Sequence, residues 1–130
     1  MKVLVIEDSH LHQKIIHKIL SMTLSGAQVI CCDDPYDGFA ALVGLQGKVN
    51  LIIMDHNMPF GTGASLLEKI RSTNWLKDIP VVVMTGEDKP KDDFIKLGAN
   101  AYFGKPFDPN AFRQVAKELG LKPKAEPKGT

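Results

Sequence analysis

Short apolar runs alternate with amphipathic segments from one end of the chain to the other. Val3-Leu4-Val5-Ile6, Leu51-Ile52-Ile53-Met54 and Val81-Val82-Val83-Met84 are apolar at every position. Blocks of that length and composition read as strands covered on both faces. Five strands are predicted, over residues 2–6, 28–32, 49–54, 80–84 and 100–103. Between the first two, Leu11, Ile15 and Ile19 recur at one-turn spacing beside Ile16 and Leu20, which predicts a helix over 9–24. Asp34 as N-cap and Pro35 at the first helical position open a second helix, with Phe39, Leu42 and Val43 as its apolar stripe. Leu66, Leu67 and Ile70 mark a short third helix. Asp88-Lys89-Pro90 opens a fourth, with Phe94, Ile95 and Leu97 on its inner side, and Asp108-Pro109 caps a fifth through Leu119. Residues 55–63 are expected to be a loop and 72–79 a connection. Residues 121–130 are Lys/Pro-rich without periodicity, and are expected to form a mobile tail or linker.

The pattern is (βα)5, an α/β chain with one domain over residues 1–120. Alternation at this spacing implies a doubly wound, five-stranded parallel sheet with right-handed crossovers and helices on both faces. The order 2-1-3-4-5 suits five strands, and places the topological switch between the first and third. The carboxyl ends of the strands then share one edge, where open α/β sheets bind ligands. Glu7-Asp8 follows the first strand, Asp55 the third, Thr85 the fourth and Lys105-Pro106 the fifth.

Composition narrows the field without naming a chemistry. The 130 residues suffice for a core without staples, and a formal net charge of +1 gives no pull toward nucleic acid or an anionic membrane. The apolar runs are far shorter than a membrane span, and no leader is evident before the first strand. The only cysteines, Cys31 and Cys32, are adjacent. On a strand they point to opposite faces, so they read as packing thiols in a reducing cytoplasm.

The strand ends can support phosphate chemistry. Clustered carboxylates stay ionised only with a cation among them. Their donors are hard oxygens, which favour Mg2+. Asp8 and Asp55 would bind it directly, Glu7 directly or through water, and a backbone carbonyl just past Asp55, that of Asn57, would complete the set. Helix capping accounts for one acid, Asp8 or Ser9 serving as N-cap, but not for Glu7-Asp8 together with Asp55. The Lys105 ammonium would neutralise a phosphoryl group as a point charge. Pro106 would fix its angle if the bond before it were cis. The Thr85 hydroxyl could donate to a phosphoryl oxygen. His10, His12 and His17 share one helix, but no two are three or four residues apart, so they read as solvent-facing. His56 either touches a partner or phosphoryl donor, or points outward.

This set resembles the receiver domain of two-component response regulators, most of all the stand-alone chemotaxis-type (CheY-like) receivers. The matching residues are Glu7-Asp8, Asp55 followed by Met58-Pro59 and Gly63, then Thr85, Tyr102 and Lys105-Pro106. They span residues 2 to about 119. The flavodoxin-like receiver fold has the order 2-1-3-4-5, so that order carries no independent weight. The resemblance implies that Asp55 accepts a phosphoryl group from a phosphohistidine on a sensor histidine kinase or histidine phosphotransfer protein. It implies that Glu7, Asp8, Asp55 and the Asn57 carbonyl hold Mg2+, and that Lys105 pairs with the phosphoryl oxygens. Thr85 would move to bond one of them, and Tyr102 would turn inward as the switch aromatic. Departures are mild: Gly86 stands where the family often has Ala, and His56 is unusual beside the acceptor. Asn57 and Glu87 flank the site and are expected to tune the lifetime of the phosphorylated state.

The expected role is a phosphorylation-dependent signalling switch, a phosphoacceptor rather than an enzyme, with a downstream protein target. No direct nucleic-acid binding or membrane insertion is expected, and homodimerisation stays open. Three other readings compete, one of them a flavodoxin-like cofactor binder, for which no Gly-rich phosphate cradle follows the first strand. Haloacid-dehalogenase-like phosphatases also use Asp, Mg2+, Ser/Thr and Lys, but need a second acid where this chain has Asn57. A receiver-like interaction module that takes no phosphate is disfavoured by the intact acid, Thr and Lys set.

Overall fold

The computed structural model describes residues 1–58, 61–86, 91–105 and 108–124. Strands and helices alternate as β1 (Lys2–Ile6), α1 (His10–Thr23), β2 (Gln28–Cys32), α2 (Pro35–Gly44), β3 (Leu51–Asp55), β4 (Asn57–Met58), β5 (Gly61–Thr62), α3 (Gly63–Arg71), β6 (Val81–Thr85), α4 (Lys91–Lys96), β7 (Ala101–Gly104) and α5 (Pro109–Glu118). The main sheet is parallel, in the order β2-β1-β3-β6-β7. Counting only its five strands, this is 2-1-3-4-5, as expected. The short β4–β5 ribbon is antiparallel and falls within the span expected to be a loop.

Strand alternation sorts the core into two layers. Leu4 and Ile6 of β1, Ile52 and Met54 of β3, and Val81 and Val83 of β6 face one layer, with Leu66, Leu67 and Ile70 of α3 and Phe94 of α4. Val3, Val5, Leu51, Ile53, Val82 and Met84 face the other, with Ile16, Ile19 and Leu20 of α1 and Phe112 of α5. β3 and β6 are buried at all five positions, which is why both read as unbroken apolar blocks.

Helix starts follow the local signals. Asp34 accepts from the Asp37 amide at 2.8 Å ahead of Pro35, and Asp108 accepts from the Asn110 amide at 3.0 Å ahead of Pro109. Ser9 caps α1, accepting from the His12 amide at 3.3 Å, which leaves Asp8 out of the cap. The residues expected to open the fourth helix, Asp88 to Pro90, lie outside the described residues, as does Pro106.

Three sets of expectations need correcting. Val43 of α2 and Ile95 of α4, expected on the inner stripes, are 50% and 41% exposed, and Cys31, expected to pack, is exposed. Leu11 and Ile15 do not belong to the buried stripe of α1: they are 68% and 38% exposed, while Ile16, Ile19, Leu20 and Thr23 are buried. At 100° per residue Leu11, Ile15 and Met22 form a second apolar line on the flank of the helix, and only one of the two lines can face the sheet. The start of the expected mobile tail is tied down. Leu24 and Pro123 form an antiparallel bridge, Ser25 donates its amide to the Lys122 carbonyl at 2.9 Å, and Lys124 donates to that of Thr23 at 2.7 Å. Leu121 packs on the α1–α5 layer. Residues 125–130 lie outside the described residues.

Candidate functional site

The register of the sheet assembles the site. Ile6 of β1 pairs with Met54 of β3, so Glu7 and Asp55 leave the edge side by side. Asp55 pairs with Met84, and Thr85 with Gly104, which brings Thr85 and Lys105 to the same edge. Glu7, Asp55 and Thr85 are all buried, whereas Asp8 is exposed. Carboxylate oxygens of Glu7, Asp8 and Asp55 lie within 4.8 Å of one another.

Lys105 reaches across this cluster. Its Nζ donates to Asp55 Oδ2 at 2.8 Å and ion-pairs with Glu7 Oε2 at 2.8 Å. Burial pushes the Glu7 carboxyl above its usual range and the Asp55 charge adds to this, against the opposing pull of Lys105 and the Ser9 amide. Burial works to lower the Lys105 ammonium's pKa, but its bonds and charge contacts with Asp55 and Glu7 outweigh burial and raise it. The crevice therefore holds two buried acids around one ammonium, with Asp8 at the rim.

The residues fit a hard divalent cation. Glu7 and Asp55 are buried, and carboxylate oxygens of Glu7, Asp8 and Asp55 lie within 4.8 Å of one another with, among the described residues, the single ammonium of Lys105 to neutralise them. Three converging carboxylates are the all-oxygen donor set that Mg2+ takes, with water filling its remaining positions.

Two polar neighbours were not foreseen. His12 was expected to face solvent, yet its Nδ1 lies 3.5 Å from Lys105 Nζ and 3.8 Å from Glu7 Oε1. The capping signal at Ser9 could have revealed it, because a cap three residues earlier sets His12 above the strand ends. Gln13 Nε2 donates to the Glu7 carbonyl at 2.6 Å and to Asp33 Oδ1 at 2.7 Å, tying the β1–α1 turn to the end of β2. Gly63, one of the residues that carry the resemblance, has a steric reason to be Gly: a Cβ there would lie 2.7 Å from the Asp55 carbonyl oxygen, so the start of α3 closes on the end of β3 only because the residue is Gly. His10 does face solvent, 3.2 Å from Asp33, and His17 is exposed.

His56 neither points outward nor lies idle: its ring meets Phe94 edge-on at 4.7 Å. Phe94 in turn stacks on Tyr102 at 5.4 Å. Three rings thus connect the residue after Asp55 to the aromatic of β7. Asn57 sits on β4, paired with Thr62. Glu87 lies outside the described residues. Among the described residues a Cβ at Gly86 would meet only Lys105 Cδ, at 4.0 Å. Among the described residues no helix is long and apolar enough to cross a membrane.

Comparison with known proteins agrees with this geometry. The family model of the response regulator receiver domain matches residues 3–117. A two-component response regulator of Oryza sativa, ORR6, is 34% identical over 122 residues, covering 92% of this chain and 71% of that protein. The chemotaxis protein CheY1 of Helicobacter pylori is 33% identical over 120 residues, covering 91% and 92% of the two chains. The chemotaxis response regulator CheY4 of Vibrio cholerae superposes with a TM-score of 0.76 at 26% identity, covering 91% of this chain and 97% of that one. The chain belongs to the receiver domain family of two-component response regulators, whose members are phosphorylation-dependent signalling switches.

Proposed function

We propose that Asp55 is the phosphoacceptor and that the residues around it serve one transfer. An Asp55 carboxylate oxygen forms the new P–O bond as the P–N bond of a donor phosphohistidine breaks. The electron pair goes to the imidazole nitrogen, which takes a proton from solvent. Such a transfer needs in-line placement and charge neutralisation more than covalent help. Glu7, Asp8, Asp55 and the Asn57 carbonyl hold Mg2+, which when bound neutralises charge on the phosphoryl oxygens. Lys105 pairs with those oxygens, Thr85 bonds one of them, and Tyr102 turns in response. Asn57 and Glu87 tune the lifetime of the product. The observation that carries this reading is the Lys105 ammonium at 2.8 Å from both buried acids, a cation placed beside Asp55 where it can pair with phosphoryl oxygens once a metal ion neutralises the acids.

The product adds about two negative charges at one strand end. A differential of a few kcal/mol then suffices to bias a two-state surface around α4 and β7. The partners are a sensor histidine kinase or histidine phosphotransfer protein on one side and a downstream protein on the other. The chain acts as a signalling phosphoacceptor in the cytoplasm, rather than as an enzyme turning over a separate substrate. Residues 1–120 form the receiver domain and 121–130 a linker or extension.

The test is labelling. A small acyl phosphate or a phosphohistidine donor labels the protein when Mg2+ is present, and Asp55→Asn abolishes the label. Labelling that survives in that variant, or that ignores a chelator, overturns the assignment.

A further inference from the structure

We propose that His12 is a positioning residue for Lys105, its unprotonated Nδ1 steadying the ammonium when the carboxylates are given over to other ligands. The inference rests on Asp55 being the phosphoacceptor. It concerns a residue expected from the sequence to face solvent.

Among the described residues three acceptors surround Lys105 Nζ: Asp55 Oδ2 and Glu7 Oε2, each at 2.8 Å, and His12 Nδ1 at 3.5 Å. An ammonium offers three N–H donors and no acceptor. Nitrogen facing nitrogen at this distance is attractive only if Nδ1 carries a lone pair, so the neutral ring holds its proton on Nε2. The alternative, Nδ1–H, would point a donor at a cation and would find Glu7 Oε1 at 3.8 Å, beyond hydrogen-bonding reach.

The two carboxylates are the partners Lys105 has to surrender. Both belong to the acid cluster suited to a divalent cation, and Asp55 loses a carboxylate oxygen to the phosphoryl group. His12 is the one partner of the three that is not a carboxylate, and it is drawn into neither event. Its backbone is anchored by the Ser9 cap, which bonds the His12 amide itself. Its side chain is 42% exposed, so the ring has room to follow Lys105 through the small shift from carboxylate to phosphoryl oxygen. The 3.5 Å separation suits that role: the contact is slack while Lys105 is held by two anions, and can tighten when it is not.

Two measurements test this. In the metal-free protein at about pH 8, where an unperturbed imidazole is neutral, long-range 1H–15N correlation spectra report the His12 tautomer. The Nε2–H form is expected, and Lys105→Met should return the ring toward a mixture. In phosphorylation from a small acyl phosphate, His12→Ala should lower the rate about tenfold, the scale set by a small misplacement of a reacting group. His12→Asn, whose amide oxygen can take the place of Nδ1, should recover most of it, and Mg2+ affinity should be the same in all three proteins. A predominant Nδ1–H tautomer, an unchanged rate in His12→Ala, or an Asn variant no better than Ala overturns the proposal. If the wild-type protein takes no label on Asp55, the phosphoacceptor assignment has failed instead. The tautomer and its response to Lys105→Met then decide the His12–Lys105 contact by themselves.

Discussion

Lys105 Nζ donates to Asp55 Oδ2 at 2.8 Å, joining two side chains fifty positions apart at adjoining strand ends. The ammonium stands where Glu7 and Asp55 would otherwise face each other as uncompensated buried acids. Removing one partner of such a cluster typically costs about 3–5 kcal/mol. Lys105→Met should therefore be strongly destabilised in chelator, measured by urea unfolding. A divalent cation can take over the neutralisation, and saturation at a hundredfold over its dissociation constant stabilises the folded state by about 2.7 kcal/mol. Mg2+ should then bind Lys105→Met more tightly than wild type, because it no longer displaces an ammonium. An equal Mg2+ response in the two proteins would contradict this account.

Two glycines near the site should respond oppositely to alanine. At Gly63 the new Cβ would sit 2.7 Å from the Asp55 carbonyl oxygen and 3.1 Å from His56 Cα, both backbone atoms that cannot turn aside. Gly63→Ala should cost about 1–3 kcal/mol by overpacking and slow labelling of Asp55. At Gly86 the Cβ finds, among the described residues, only the stem of Lys105, at 4.0 Å, so Gly86→Ala should be stabilising by about 0.4–1 kcal/mol through the unfolded chain. Thermal unfolding of both variants checks the pair of signs.

Arg71, at the end of α3, is a staple. Its guanidinium donates to the carbonyls of Gly98, Lys77 and Ile79 and to Asn100 Oδ1, all between 2.7 and 2.9 Å. Asn100 Oδ1 also accepts from the Val81 amide, so the same network starts β6. Gly98 has φ of +107°, and a Cβ there would lie 2.9 Å from Arg71 Cγ, which ties the turn after α4 to this side chain. Arg71→Ala should lose about 3 kcal/mol. Arg71→Lys should recover little of it, because an ammonium cannot span the fork. Hydrogen exchange should rise at Gly98 to Asn100 in both variants; an undisturbed turn would show that the bonds are dispensable.

The thiols should be slow. Burial pushes Cys32 up from 9.0 to about 11, with Asp37, the Cys31 thiol, Asp33 and Asp34 adding to it, and burial and Asp33 raise Cys31 as well. Alkylation by iodoacetamide at about pH 8, below even the reference thiol value, should be much slower than for the unfolded chain, and slowest at Cys32. The folded thiol ionises less readily than the unfolded one. Its contribution to stability is therefore intact below 9.0 and is lost as pH rises through about 11. Cys32→Ser should flatten the fall in stability over that window.

The elements and their order were legible in the sequence because their causes are local. A strand buried on both faces must be apolar at consecutive positions, as Val81 to Met84 are, and Asp34-Pro35 and Asp108-Pro109 signal helix starts within a few residues. The convergence of Glu7, Asp8, Asp55, Thr85 and Lys105 followed from strand ends sharing an edge once the order was set. The β4–β5 ribbon escaped because two-residue strands leave no period to read. The burial of α1 was misread because Leu11, Ile15 and Met22 form a line as regular as the one that packs.

The sequence by itself determined the alternation of strands and helices, the caps and the chemical inventory of one sheet edge, since each depends on neighbours within a turn or two. Tertiary structure decided which contacts those residues make. His12 meets Lys105 across 93 positions, Arg71 meets Gly98 across 27, and Lys124 bonds back onto α1. Such contacts depend on angstrom-scale distances between elements packed against a common sheet. Pattern along the chain specifies that the elements pack, but not which side chains then come within reach.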